Sequence, residues 1–340
     1  MEKKKKILVT GGAGYIGSAL VPKLLARGYD VRVFDKLIFG DFGLEDVKDR
    51  IEIIQGDVVN PDPEIMKDVY GVIHLAGFST EPTAYFNPRH TDQVNHLGTE
   101  NIAKLAKAAG VERFAFASTC SVYFTYDTPL VPKAYSEEEI VNCISPYSIT
   151  KRAAEEALKE LTDSNFRPTI FRKGTIYGFS PKMRYDLVVN SFTKDAFSKK
   201  RITVHAGGEV YRPMLDLDLA TDAYIAAMEM PIEKVSGTFN VVNPEGNWRI
   251  GDLADEFKKI IEAHKNISLE IDVQPTGAVR NYKANAAKFD SHFGLKPKRT
   301  IKDVILEIWE ELESGHDFTD PRFYTDTWHS QFQKSKEQNR

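Results

Sequence analysis

Gly11-Gly12-Ala13-Gly14-Tyr15-Ile16-Gly17 is the stretch on which the fold turns. Before it, Lys6-Ile7-Leu8-Val9-Thr10 is a short apolar run with β-branched members, which reads as a buried strand. After it, Ile16, Leu20, Leu24 and Leu25 follow a helical pattern. Between strand and helix, Gly11 permits the tight turn. Gly14 lets the backbone approach a pyrophosphate, and Gly17 lets helix and strand pack closely. The helix N-terminus offers free N–H groups and a positive dipole end to the phosphates. A second strand, Asp30-Val31-Arg32-Val33-Phe34-Asp35, ends in an acid 18 positions after Gly17. A carboxylate there accepts hydrogen bonds from a ribose 2′-OH and repels a 2′-phosphate, which favours NAD over NADP. Lys36 adjoins it and works against that preference. Stripped of strand, helix and acid, the same glycines would read as an ordinary turn.

A second stretch, Tyr147-Ser148-Ile149-Thr150-Lys151, places a phenol and an ammonium four residues apart, on one face of a helix. An ammonium close to a phenol favours the phenolate, and that tunes a tyrosine toward acid–base work near neutral pH. Pro146 suits the first helical turn. On spacing alone, a surface tyrosine and lysine would be the simpler reading; the glycine loop upstream reverses that. A hydride carrier and a proton carrier together are what interconverting an alcohol and a ketone requires. Strand 113–118 ends in Ser118-Thr119-Cys120-Ser121, at the sheet edge where such folds bind ligands. Thr119 is the candidate hydroxyl for bonding both Tyr147 and the reacting oxygen, with Ser118 and Ser121 behind it. Cys120 reads as a buried packing residue, because no histidine lies nearby in sequence.

The chain has 340 residues, of which 42% are hydrophobic and 28% charged, as in ordinary globular proteins. Its 45 Lys+Arg and 49 Asp+Glu are mixed along the chain, and the net charge of −4 argues against a nucleic-acid or membrane-surface role. The Lys3-to-Lys6 run reads as a solvated start to the first strand. No apolar stretch approaches a membrane span, and the N-terminus lacks the apolar region of a signal peptide. Cys120 and Cys143 give neither a metal spacing nor a disulfide framework, so no metal is expected and the cytoplasm is the expected location. A homodimer is the expected assembly.

Strand-like runs at 6–10, 30–35, 51–55, 71–76 and 113–118 alternate with helical patterns at 15–27, 62–68, roughly 86–109 and 147–163. Alternation of this kind predicts an α/β fold: a doubly wound parallel sheet of the Rossmann type, with helices on both faces. Arg167–Arg172 is another strand and Phe239–Val242 a late one. Helices are expected over 184–199, 250–264, 285–292 and 301–314. The expected division is an NAD-binding domain of 1–175 plus 213–245 and a smaller mixed α/β substrate domain of 176–212 plus 246–315. The tail, 316–340, carries Phe318, Phe323, Tyr324, Trp328 and Phe332, which should dock on the body or on a partner chain, with the last ten residues disordered.

These features resemble the extended short-chain dehydrogenase/reductases, the group of NAD-dependent sugar-nucleotide epimerases, dehydratases and dehydrogenases. The resemblance covers about residues 5–315. It rests on Thr10–Gly17, Gly56-Asp57-Val58, His74-Leu75-Ala76-Gly77, Val94-Asn95-His96-Leu97-Gly98-Thr99, Ser118-Thr119 and Tyr147-x-x-x-Lys151. It continues in Arg172, Tyr177-Gly178, Tyr211–Asp218, Asn240, Arg280 and Leu295-Lys296-Pro297. The resemblance implies a cofactor site of Gly11, Gly14, Tyr15, Ile16, Gly17, Asp35, Lys36, Asp57, Val58, Leu75, Ala76, Gly77, Asn95, Tyr147 and Lys151. Asp57 would bond the adenine. It implies catalysis by Tyr147, Lys151 and Thr119. It implies a nucleotide-sugar site of Thr119, Ser121, Tyr147, Thr175, Leu187, Val188, Arg212 and Arg280, in which the two arginines grip the diphosphate as bidentate forks.

The departures are informative. Dehydratases of the group carry Asp-Glu directly after the hydroxyl residue, and decarboxylating relatives usually place Glu at the second position; here Cys120 and Ser121 stand there. Gly77 replaces a common Ala, Phe124 a common Gly, Thr175 a common Asn, and Lys283 falls where epimerases often carry Asp. Ser180–Asn190 looks like a subgroup from surface-polysaccharide pathways, with 185–190 running past the substrate's nucleotide. The expected activity is an NAD-dependent sugar-nucleotide 4-epimerase acting through a transient 4-keto sugar. The alternative is a 4-dehydrogenase or 4-keto reductase, which needs the same residues. A non-catalytic nucleotide-sensing protein is the reading from another class. Such proteins usually lose the Tyr–Lys pair that this chain keeps.

Overall fold

The computed structural model describes residues 4–125, 128–139, 143–275 and 280–326. The first strand, β1 (Lys6–Thr10), is buried from Ile7 to Thr10 and leads through the glycine turn into the helix Tyr15–Ala26. Then come β2 (Asp30–Asp35), β3 (Glu52–Gln55), β4 (Val69–His74) and β5 (Arg113–Thr119). A short β6 (Ala134–Tyr135) precedes the helix Pro146–Leu161, followed by β7 (Thr169–Lys173), β8 (Thr175–Tyr177), β9 (Arg201–Val204), β10 (Tyr211–Asp216) and β11 (Gly237–Val241). The central sheet runs β11-β7-β5-β4-β1-β2-β3, parallel throughout. Strand order reverses between β1 and β4, so their carboxyl ends part and open a crevice; open α/β sheets bind ligands at such a switch point. The expected parallel doubly wound sheet is therefore present.

Outside it, β12 (Asn247–Arg249) joins β10 and β8, β13 (Glu270–Val273) pairs with β9, and β14 (Lys283–Ala284) pairs with β6. Helices Val188–Lys199, Ile250–Lys265, Ala287–Phe293 and Ile301–Glu313 surround these small sheets. One apolar cluster runs from Ile7, Val9 and Phe171 to Leu253, Phe257, Ile308 and Trp309, so the small sheets and the large one share a core.

Two differences from the sequence expectation have local causes. The helix expected over roughly 86–109 runs over Pro88–Ala108 with a π-turn, Gln93–Leu97, inside it, and a separate short helix, Glu81–Phe86, precedes it. Pro88 lacks an N–H and pushes Asn87 out of the helical region (φ −140°), and the Asn87 side chain then caps the next piece at His90 N–H. The helix Leu217–Glu229 went unread because it is buried almost all round, so its apolar residues show little period.

In the tail, Phe323 packs edge-on against Phe42 and Tyr185, at 5.6 and 5.9 Å between centroids, and Tyr185 N–H donates to the Phe323 carbonyl at 3.1 Å. Phe318 meets Phe197, and Tyr324 meets Tyr185. These aromatics dock on the body. Trp328, Phe332 and the last ten residues lie outside the described residues, as does Lys3.

Candidate active site

A cleft of about 710 Å³ opens at the carboxyl ends of β1, β2, β4, β5 and β7. Its cofactor side begins at Gly11. That residue holds φ +70°, and a Cβ there would sit 2.6 Å from the Ala76 nitrogen, so neither the turn nor the approach to β4 tolerates a side chain. Ala13 N–H donates to Asp35 Oδ2 at 3.0 Å and Leu37 N–H to Oδ1 at 2.8 Å. Burial raises the Asp35 pKa, while these N–H groups and the Lys182 charge oppose the rise. Lys36 Nζ is tied to Asp57 Oδ2 at 2.6 Å. Tyr15 donates its hydroxyl proton to the Gly178 carbonyl at 2.7 Å and accepts from Asn190 Nδ2 at 3.1 Å. It thereby fastens the glycine loop to the segment expected to hold substrate. Gly14, Ile16, Gly17, Val58, Leu75, Ala76 and Gly77 complete this wall.

Asn95 sits behind the wall. Its side chain accepts from Phe78 N–H at 2.8 Å and donates to the Phe78 carbonyl at 2.9 Å. Gly77 has φ +156°, and a Cβ there would come 2.7 Å from Asn95 Oδ1 and 3.3 Å from Lys151 Nζ. The glycine that replaces a common alanine thus makes room for this bond and for the lysine. These glycines, the wall beside them and the carboxylate of Asp35 suit NAD: space for a pyrophosphate against the backbone, and an acid for a ribose hydroxyl.

The candidate proton-transfer group, Tyr147 with Lys151, stands on the helix Pro146–Leu161. Ser145 and Ser148 form a reciprocal capping box, with Pro146 in the first turn as expected. Lys151 is buried; its Nζ donates to the Ala117 carbonyl at 3.0 Å and lies 4.8 Å over the Phe116 ring. Burial pulls its pKa down to about 8, with Glu155 opposing. Burial raises the Tyr147 pKa, and the hydrogen bond with Thr119 opposes the rise. Burial is the largest influence on the phenol, and the Lys151 ammonium is bonded to a backbone carbonyl. Thr119 itself is held by Ser121, whose N–H donates to Thr119 Oγ1 at 3.1 Å.

Ser118 faces the other way. Its hydroxyl donates to Glu155, which forms a solvent-free ion pair with Arg172 (2.6 Å). It is committed to the scaffold and is no reserve for Thr119. Cys120 is buried, donates to the Arg172 carbonyl at 3.1 Å, and has its thiol pKa raised by desolvation, as a packing residue would.

On the substrate side, Ser121, Thr175, Leu187, Val188, Arg212 and Arg280 all line the cleft. The Arg212 guanidinium lies 5.2 Å over the Tyr282 ring and donates to the Tyr211 carbonyl at 3.0 Å. Burial draws its pKa to about 10, so it stays charged at neutral pH. Arg280 leaves its buried Nε without a partner, with Glu81 Oε1 3.9 Å from its other nitrogen. Glu81, Lys173, Lys182 and Asp326 also line the cleft, and the sequence reading missed them. Lys182 and Arg184 sit inside Ser180–Asn190, where charges amid apolar residues were the available signal. Glu81, Lys173 and Asp326 gave none. Among the described residues no group of acids, histidines or cysteines could hold a metal ion, and no helix is long and apolar enough to cross a membrane.

Comparison with known proteins agrees with this geometry. The family model for the NAD dependent epimerase/dehydratase family matches residues 7–242. UDP-glucuronic acid decarboxylase 2 of Arabidopsis thaliana is 30% identical over 312 residues, 89% of this chain and 67% of that protein. A UDP-glucuronic acid 4-epimerase from Bacillus cereus, solved with UDP-glucuronic acid and NAD, superposes with a TM-score of 0.79 at 24% identity, over 91% of this chain and 99% of that one. A UDP-glucose 4-epimerase from Thermotoga maritima, solved with UDP-glucose, gives 0.76 at 26%, over 91% and 99%. The chain belongs to the NAD-dependent epimerase/dehydratase family, within the extended short-chain dehydrogenase/reductases, and NAD is its cofactor.

Proposed function

We propose that the chain is a sugar-nucleotide 4-epimerase acting through a transient 4-keto sugar. Tyr147 takes the proton of the C4 hydroxyl and later returns it; Thr119 holds the same oxygen; Lys151 supplies positive charge beneath the phenol. NAD, which the glycine loop and Asp35 would hold, would supply the hydride acceptor and donor for C4. Arg212 and Arg280 hold the diphosphate, with Thr175, Leu187 and Val188 along the nucleotide, while the sugar turns over. In this reading 1–175 with 213–245 carries NAD, and 176–212 with 246–315 carries the sugar nucleotide.

One observation carries the choice. Cys120 is buried with its thiol held neutral, and Ser121 is spent on Thr119, so the loop after β5 brings no carboxylate to the sugar. Dehydration at C5–C6 lacks its base there. A net 4-dehydrogenase or 4-keto reductase uses the same residues and differs in whether the hydride is returned. Decarboxylation is the second reading, favoured by the sequence likeness to UDP-glucuronic acid decarboxylases. It shares the oxidation at C4 and then loses the carboxylate of a β-keto acid. A survey of sugar nucleotides with the purified enzyme decides: an epimer without net NADH supports the proposal, while stoichiometric NADH, a keto product or carbon dioxide overturns it.

We also propose a homodimer. Tyr85, Leu97 and Ile149 are exposed apolar residues on or beside elements packed against the helix Pro146–Leu161, a face suited to a second copy. Two unpaired cysteines suit the reducing cytoplasm. Sedimentation of Ile149→Glu as a monomer, against a wild-type dimer, tests the interface.

A further inference from the structure

Glu81 and Asp326, both lining the cleft, each keep a buried carboxylate oxygen without a hydrogen-bond partner, and Glu81 is the one beside the helix of Tyr147. Glu81 is 5% exposed. Its Oε1 accepts from Ser145 Oγ at 2.7 Å and faces Arg280 at 3.9 Å, while its Oε2 is buried, has no hydrogen-bond partner and belongs to a residue lining the cleft. Ser145 caps the helix that carries Tyr147, and Glu81 is among the charges acting on the Tyr147 phenol. This oxygen therefore stands where the reacting sugar would lie. A buried acceptor without a donor is costly unless a ligand brings one.

We propose that Glu81 is a specificity residue that selects a nucleotide sugar whose ring presents a hydroxyl or ammonium donor to it and rejects one that presents a carboxylate. The inference rests on the nucleotide-sugar reading of the cleft and narrows it to neutral or amino sugars. A donor completes Oε2. A uronate would instead set a second anion against it in a site of low dielectric, which costs affinity twice: the repulsion, and the donor still missing. The cations nearby offer the uronate little. Arg184 is held bidentate by Asp186 at 3.0 and 2.7 Å and also donates to Ser79. Lys151 is bonded to Ala117, and Arg212 and Arg280 stand ready for the diphosphate. Lys173 and Lys182 also line the cleft: Lys173 lies beside Lys151 and Arg184, and Lys182 stands among Arg184, Asp186 and Asp35, toward the cofactor side. The selection opposes the uronate chemistry in the names of several relatives and favours the 4-epimerase reading over the decarboxylase one.

The NAD-loaded enzyme is titrated with UDP-glucose, UDP-glucuronate and UDP alone, each read by displacement so that weak binding registers. Wild type should take UDP-glucose about tenfold or more tightly than UDP-glucuronate, the worth of one hydrogen bond to a charged group. Glu81→Gln keeps the acceptor for Ser145 and removes the charge. It should shrink that ratio by roughly tenfold; Glu81 faces Arg280 at 3.9 Å, so any change in the affinity for UDP is common to both sugars and cancels in the ratio. A wild type that takes the uronate equally well, or takes neither sugar at millimolar concentration, overturns the proposal, as does an unchanged ratio in Glu81→Gln. Product analysis is separate. An enzyme that prefers the neutral sugar but releases keto sugar and NADH keeps Glu81 as the selector and loses the 4-epimerase reading.

Discussion

The two halves of the cleft are built in opposite ways. Around Tyr147, almost every polar group has a partner: Lys151 with Ala117, Thr119 with Ser121, Ser118 and Arg172 with Glu155, Ser145 with Ser148. Around the arginines, polar atoms are left over: Arg280 Nε, Glu81 Oε2 and Asp326 Oδ1 are buried without partners. A closed network fixes geometry before any ligand arrives, as general acid–base chemistry demands. An open set of buried donors and acceptors is completed by the ligand and so discriminates among ligands. On the proposed function the first half would set the reaction and the second the substrate, and each can be broken separately.

The largest break is Tyr147→Phe, which keeps the ring and removes only the proton-carrying oxygen. It should fold, bind NAD and lose roughly 10²–10⁴-fold in turnover on the true substrate. Near-normal turnover ends the proposed mechanism. Lys151→Met should also lose rate, with residual activity climbing with pH as the untuned phenol ionises.

Next is the scaffold beneath it. Glu155→Gln leaves Arg172 charged and buried with no anion, because both side chains are solvent-free. Breaking such a pair costs about 3–5 kcal/mol of stability, which urea unfolding would show. A loss below about 1 kcal/mol, the range of an exposed pair, would mean that the network is not the rigid frame described.

On the open half, Arg212→Ala should raise substrate Kd by roughly tenfold or more while NAD affinity stays constant, one charged contact being worth about 1.5–3 kcal/mol. Unaltered substrate affinity in both Arg212→Ala and Arg280→Ala refutes the diphosphate assignment. Loss of NAD affinity would move these residues to the closed half.

The same contrast explains what could be read from the sequence. The closed half is legible because its parts are local: a glycine turn between strand and helix, a tyrosine and lysine four residues apart, a hydroxyl at a strand end. Asp35 and Thr119 follow from where a parallel strand must stop. Glu81, Lys173 and Asp326 were not legible, because each owes its role to chain segments brought together only by folding. Glu81 sits on a six-residue helix and meets Ser145 across 64 positions and Arg280 across 199. The surroundings of Tyr147 were not legible for a related reason. Spacing puts Lys151 on the right face, but only the fold shows the ammonium committed to Ala117 and the phenol desolvated.

The smallest effect tests the closed half at its far edge, under β4. His74 is fully buried between Thr10 Oγ1, 2.6 Å from Nδ1, and Thr99 Oγ1, 3.0 Å from Nε2. Burial, with the Lys151 charge adding, drops its pKa from 6.5 to about 3. Its folded pKa lies below its unfolded one, so under pH 6.5 the unfolded chain takes up a proton that the folded chain refuses. Stability must then fall as pH drops from about 6.5 toward 3, by at most about 1.4 kcal/mol per pH unit from this residue. Asp326 works the other way: burial and the neighbouring Asp186 raise its pKa to about 6, so its contribution grows as pH falls from there. The total slope mixes the two, and the difference between wild type and His74→Asn isolates the first. That difference should shrink with acidity between pH 7 and 5, as the unfolded wild type gains its proton and the variant has none to gain. A difference that stays constant over that range would mean that His74 accepts a proton in the folded state, and that the network under the cofactor is looser than its hydrogen bonds indicate.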